Sequence, residues 1–427
     1  MATLSNTSLI IQRRMAAKSQ TRRYVMGGFF ILVGILIYLF FASNLTSDVT
    51  TKFVMTPGGI TRGVMGDWIL PAHITLLVML GLSILAGIYQ LLRGFEKLTN
   101  IVLGLVVAFF IFSFLVWSAA GKSLNLAGML SSAVLLSVPI VLAAFSGVIT
   151  ERAGVTNIAI EGMMLMGAMM GALIGSVTHS ALIGLVGAIA GGAMLSWLHG
   201  ILSIKYKINQ IVSGTVINIF STGLTSFLSQ KFLQVYQNLN EPPMFTRIPI
   251  PGLADIPLLG PLFFNTNIFV YAMFIFLIVL QVALFRTKWG LRMRAVGEHP
   301  KAADTLGIDV FKTRWMAVLL SGCMAGFAGG FYTLGSVGRF DEEMTAGKGF
   351  IGLAAMIFGN WTPIGSLGAG FLFGFADSLA SKLSLLGSSI PPQIMAMMPY
   401  IATMIVLAGV VGKGHTPAAD GEPYEKE

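Results

Sequence analysis

Long apolar runs alternate with short polar connections along most of the chain. A helix needs about 20 apolar residues to cross the hydrocarbon core of a bilayer. Runs of that order lie at about 25–42, 69–92, 101–120, 126–149, 155–178, 181–203, 209–229, 268–285, 314–337, 364–386 and 393–411. A further apolar piece at 349–359 is too short to cross upright, so it reads as a half-helix or part of a broken span. In lipid every backbone polar group must be satisfied within the protein, which favours helices over exposed strands. The pattern therefore predicts an all-α fold, a polytopic transmembrane helix bundle of about 11–12 segments with one short half-helix.

Composition agrees. Of the 427 residues, 55% are hydrophobic and only 11% charged, with a mean hydropathy of +0.81. A soluble domain carries about a quarter charged residues. The formal charge of +9 would suggest nucleic acid in a soluble protein. Here the basic residues sit between apolar runs and set topology instead, so no nucleic-acid partner is expected and membrane lipid is. Placing Arg13, Arg14, Lys18, Arg22 and Arg23 inside also places Arg93, Lys97, Arg152, Lys205, Lys207, the basic loop 286–314 and Lys413 inside. The opposite topology would reverse most of the 27 basic residues, against the positive-inside rule. Both termini are thus expected to be cytoplasmic. The run at 25–42, with no evident cleavage site after it, reads as a retained signal-anchor helix.

Texture divides the chain. Residues 1–122 hold three spans with few small-residue motifs and read as an N-terminal extension. Residues 123–412 form a Gly-rich core, with stripes such as Gly167, Gly171 and Gly175, or Gly322 and Gly326, that let helices approach closely. Residues 413–427 are acidic and polar and are expected to be a disordered cytoplasmic tail. The six prolines between 242 and 261 predict an irregular cap on the outer side.

Polar residues inside apolar runs mark candidate sites. Glu161 lies at membrane depth, where a carboxylate costs roughly 2.5–3.5 kcal/mol on insertion scales and must face protein or water. Asn157 falls one helical turn earlier, on the same face at i, i+4. Asn209, Gln210, Ser213 and Asn218 form a second cluster. Asn157, Glu161, Asn209, Ser213 and Asn218 are the candidates for a translocation path. The alternative is that they satisfy backbone groups freed by a helix break, or join helices. In the loop 286–313, Pro300 opens a short helix that Gly307 ends, a form suited to docking in a partner's groove. On the opposite side Arg339, Asp341, Glu342, Glu343 and Lys348 form a mixed-charge rim, a candidate docking surface for a solute-binding partner. Asp377 has no evident partner.

Catalytic chemistry finds no footing. The five histidines are scattered without metal-ligand spacing, the one cysteine is Cys323, and Gly121–Ser123 does not complete a phosphate loop. No catalytic residue, metal or cofactor is expected.

Three stretches, ERAGVTNIAIEGMMLMGA, GLRMRAVGEHPKAADTLGI and GKGFIGLAAMIFGNWTPIGSLGAGFLFGFADSL, carry a family resemblance, together with the closing GHTPAADGEPY. From about residue 124 onward the chain resembles permeases of ATP-binding-cassette importers for sugars and branched-chain amino acids, above all bacterial nucleoside-importer permeases. The resemblance implies a permease subunit of the bacterial cell membrane that moves a nucleoside or related sugar-like solute by alternating access. It implies two ATPase subunits, a second related permease and a lipid-anchored extracellular solute-binding protein as partners. It implies a loop that docks into the ATPase, here Gly297, Glu298, Pro300, Ala302, Ala303 and Gly307. An ion-coupled secondary transporter using Glu161 is the rival reading.

Overall fold

The computed structural model describes residues 2–385, 397 and 415–426. Among the described residues, ten helices are long and apolar enough to cross a membrane. They begin and end within a few residues of the predicted runs. Apart from Met397, the predicted span at 393–411 lies outside the described residues. The chain divides into two compact units, one built chiefly from Met1–Gly58 and Met65–Ala127, the other chiefly from Gly128–Lys382.

In the first unit, α1 (Ala2–Ile37), α2 (Ala72–Leu92) and α3 (Thr99–Ser118) are the three spans. An added Cβ on Gly27 would lie 2.6 Å from the Leu91 side chain, so a glycine there lets α1 and α2 approach. Phe41 packs its ring against Phe110, Phe114 and Trp117, with centroids 5.4, 5.9 and 5.5 Å away. A small sheet, missed in the sequence, closes one end: β1 (Thr50–Val54) pairs antiparallel with β2 (Trp68–Pro71) and parallel with β3 (Ser123–Asn125). Only 22% of the most apolar window of α2 is buried, as befits a helix whose other faces meet lipid.

The second unit has α4 (Leu126–Glu151), α5 (Ile160–Thr178), α6 (Ala181–Gly200), α7 (Gln210–Leu228), α8 (Ile268–Arg286), α9 (Lys288–Glu298), α10 (Pro300–Thr305), α11 (Val310–Gly330), α12 (Lys348–Phe358) and α13 (Pro363–Leu385). At its centre α5, α6 and α11 meet with almost no side chain between them. A Cβ on Gly167 would sit 2.7 Å from the Cα of Gly326, and one on Gly192 or Gly329 would overlap the carbonyl oxygen of Gly322 or Met164. The glycine stripes are thus packing seams of a tight helix trio. The apolar piece at 349–359 is the short helix α12. Between α7 and α8 the proline-rich segment has little regular structure beyond two single turns and a two-residue pairing of Ile248–Pro249 with Asn265–Thr266.

Two expectations are corrected. The span predicted from residue 155 starts only at Ile160, because residues 152–159 are unwound, with Gly154 at φ +78°. Asn157 and Glu161 therefore do not share a helix face. The tail, expected to be disordered, is ordered over 415–426 and buries Pro417, Ala419 and Tyr424 against its own unit.

Candidate transport and coupling sites

The unwound segment between α4 and α5 leaves backbone groups that no helix satisfies, and the polar residues singled out in the sequence satisfy them. Asn218 accepts from the Gly162 N–H at 2.8 Å and donates to the Ile158 carbonyl at 2.8 Å. Ser221 donates to the Gly162 carbonyl. Asn157 is fully buried, accepts from the Ala159 N–H at 3.1 Å and donates to Ser321 Oγ at 3.0 Å. Gln210 accepts from the Thr156 N–H. Ser213 bonds His199 Nδ1 at 3.1 Å, and His199 Nε2 in turn reaches the Thr156 carbonyl. Asn209 caps α7 by accepting from the N–H groups of Ile211 and Val212. Asn157, Asn218, Ser213 and Gln210 thus gather around one break, while Asn209 stands apart as a cap.

Glu161 works one turn deeper. Its carboxylate accepts from Thr345 Oγ1 at 2.6 Å, from the Gly347 N–H at 2.8 Å and from the Gly349 N–H at 2.6 Å. It caps the start of α12, where unsatisfied N–H groups and the helix dipole favour an anion. A Cβ on Gly349 would lie 2.6 Å from the Cα of Glu161, so only glycine allows this approach. Lys348, expected on the outer rim, instead pairs with Asp377, and both side chains are largely buried, at 20% and 23% exposure. Asp377 therefore does have a partner. The pair lies 29 residues apart in sequence, so nothing local could reveal it.

At the far end of α11 lies the elbow made by α9 and α10. Thr287 Oγ1 caps α9 by accepting from the Gly290 N–H, and His299 Nδ1 caps α10 by accepting from the Ala302 N–H. Pro300 occupies the first turn and Gly307, at φ +79°, follows the end, as the sequence predicts. Gly297 seats the elbow: a Cβ there would overlap the Arg152 carbonyl oxygen. Arg152 is fixed by donating from Nε to the Trp361 carbonyl at 2.8 Å and by stacking over Phe285, and its burial pushes its pKa down. Ala303 is buried and faces inward, whereas Glu298, Ala302 and Gly307 are exposed. Leu306, not singled out in the sequence, is 81% exposed at the tip of a charged segment. Its sequence signal is slight, a leucine beside Gly307 in a largely polar loop.

The rim residues divide. Arg339 pairs with Asp341 at 3.1 Å, and Glu342 accepts from Gln230 and Gln234. Glu343, at φ +52°, lies on the exposed turn leading to α12. Elbow and rim lie beyond opposite ends of the 27-residue span Val310–Ser336, about 40 Å apart at 1.5 Å per residue.

Among the described residues no cluster of His, Cys, Asp or Glu is suited to hold a metal ion. The second unit is a glycine-seamed bundle with a broken span, a half-helix and a projecting elbow. Residues 129–408 match the family model described as the permease component of a branched-chain amino acid transport system. The chain belongs to this permease family. The guanosine ABC transporter permease protein NupQ of Bacillus subtilis is 41% identical over 297 residues, 67% of this chain and 93% of that protein. The nucleoside ABC transporter permease protein NupC of Lactococcus lactis is 39% identical over 310 residues, covering 70% and 96% of the two chains. A putative glucose ABC transporter permease protein of Haloferax volcanii, TsgC13, is 35% identical over 326 residues. No solved structure matches. The protein is a multi-pass permease subunit of the cell membrane and not an enzyme.

Proposed function

We propose that this chain is the permease subunit of an ATP-binding-cassette importer that carries nucleosides into the cell. The observation that carries the reading is the match to NupQ and NupC over nearly their whole length, two permeases named for guanosine and nucleosides. ATPase subunits act on the α9–α10 elbow, and a solute-binding partner, lipid-anchored outside, docks on the rim of Arg339, Asp341, Glu342 and Glu343. A second, related permease completes the path. Elbow and tail face the cytoplasm, in keeping with the basic residues of 286–314.

The exposed leucine supports the docking role. A leucine at 81% exposure in a water-facing loop has no lipid to cover it, and a partner's apolar groove does so. The break residues Asn157, Ser213 and Asn218 brace the path wall rather than contact solute, because their polar atoms already have partners. The ion-coupled rival finds no such support, since Glu161 already accepts three hydrogen bonds.

Purification of the tagged permease with its genomic neighbours, followed by uptake of labelled guanosine in proteoliposomes, tests the proposal. Uptake is expected to need ATP, the ATPase subunits and the binding protein together. Uptake that persists without ATP and follows an ion gradient would overturn it.

A further inference from the structure

The tail residues 415–426 reach the unwound segment, the α9–α10 elbow, α11 and the turn between α12 and α13. The His415 N–H donates to Asn360 Oδ1 at 3.0 Å, in the turn between α12 and α13. The Ala418 N–H donates to Glu298 Oε2, and the Ala419 N–H to the Gly297 carbonyl at 2.9 Å, at the corner of the elbow. Asp420 Oδ1 accepts from Thr156 Oγ1 at 3.0 Å, in the unwound segment. The Glu422 carbonyl accepts from Arg314 Nη1 at 2.8 Å, on α11. Tyr424 packs its ring 5.3 Å from that of Phe311, tilted by 59°, and completes a small apolar cluster with Val296, Ala303 and Val310. Glu425 and Lys426 reach Lys207 and Asp304.

These contacts differ in weight. The two terminal ion pairs are exposed and contribute little. Tyr424, 6% exposed, and the backbone bond from Ala419 to Gly297 hold the tail. Their placement matters more than their number. Gly297 seats α9 against the Arg152 carbonyl, while the six-residue α10 buries Ala303 beside Val296, Val310 and Tyr424. Tyr424 and Ala419 add a tie from the inner face of the elbow to α11 and to the Gly297 corner, and Asp420 extends it to the break.

We propose that residues 415–426 are a positioning strap that clamps the α9–α10 elbow to α11 and the unwound segment, so that movement of an ATPase docked on the elbow passes into the membrane core. This rests on the importer reading and adds a part to it: the tail is a component of the coupling device and not a solvated end. Tyr424 is its principal positioning residue.

The test uses the whole importer in proteoliposomes and reads guanosine imported per ATP hydrolysed. Tyr424→Ala is expected to lower this ratio by about tenfold, with ATPase co-purification unchanged, and Tyr424→Phe, which keeps the ring against Phe311, to lower it less. In the same complex, amide exchange over 297–308 is expected to accelerate by about tenfold in Tyr424→Ala and by less in Tyr424→Phe. A wild-type ratio in Tyr424→Ala, or a loss of import that only follows a loss of assembled complex, would overturn the strap. A wild-type permease that retains no ATPase would overturn the importer reading, and the strap with it, so the two failures are distinguishable.

Discussion

The cradle around Glu161 and the elbow around Leu306 answer opposite problems with opposite residues. In the cradle, a carboxylate at membrane depth has its lone pairs taken by Thr345, Gly347 and Gly349. At the elbow, an apolar side chain stands in water at 81% exposure without a partner. The Glu161 carboxylate holds a half-helix against a broken span. Leu306 is where the proposed ATPase contact falls. A misplaced residue is informative according to whether its own chain already satisfies it.

The contrast can be broken first at the cradle. Glu161→Ala leaves three donors without an acceptor, and each buried one costs about 1–3 kcal/mol. A marked fall in the melting temperature of the detergent-solubilised permease is expected, with a smaller fall for Glu161→Gln, which keeps one acceptor oxygen. Unchanged melting in Glu161→Ala would mean that the carboxylate is free for transport. Leu306→Asp sharpens the other side. Removing an exposed leucine is expected to leave melting unchanged within about 0.5 kcal/mol. It is expected to weaken ATPase association by about tenfold in a titration, or about 1.4 kcal/mol.

The smallest effect concerns the tail. Burial raises the Asp420 carboxyl from its ordinary value of 3.8 to about 6, against the lowering influence of Thr156, Glu151 and Arg314. The docked tail therefore holds this proton more tightly than a free tail would. Its docking is strongest below the ordinary value and weakens as pH rises through about 6. The anisotropy of a fluorophore on the C-terminus is expected to fall as pH rises from about 5 to about 7, and Asp420→Asn to reduce the dependence. A pH-independent wild type would contradict this reading of Asp420.

Much of the fold was legible in the sequence because membrane spans are local. Twenty apolar residues declare themselves without reference to the rest of the chain, and Pro300 and Gly307 bracket a helix by their own backbone preferences. What escaped depends on distant partners. Residues 155–159 are apolar enough to continue a span, but Asn218 and Gln210 hold them unwound from α7. Lys348 looks like a rim charge until Asp377 is placed beside it. The tail is polar and acidic, and nothing in GEPYEKE tells that Tyr424 reaches Phe311. The short sheet of the first unit had a signal in the β-branched and aromatic TTKFV, overshadowed by the apolar runs on either side.

The central claim is that the motor grips the elbow and that its side of the membrane is opposite to the rim. Single cysteines placed at Leu306 and at Val337 on a Cys323→Ser background, in the actively importing complex, test it directly. The account predicts that Leu306→Cys cross-links to an ATPase subunit and that Val337→Cys does not. A cross-link from Val337→Cys, or an ATPase bound in a working complex that leaves Leu306→Cys open to water-soluble thiol reagent, would contradict it.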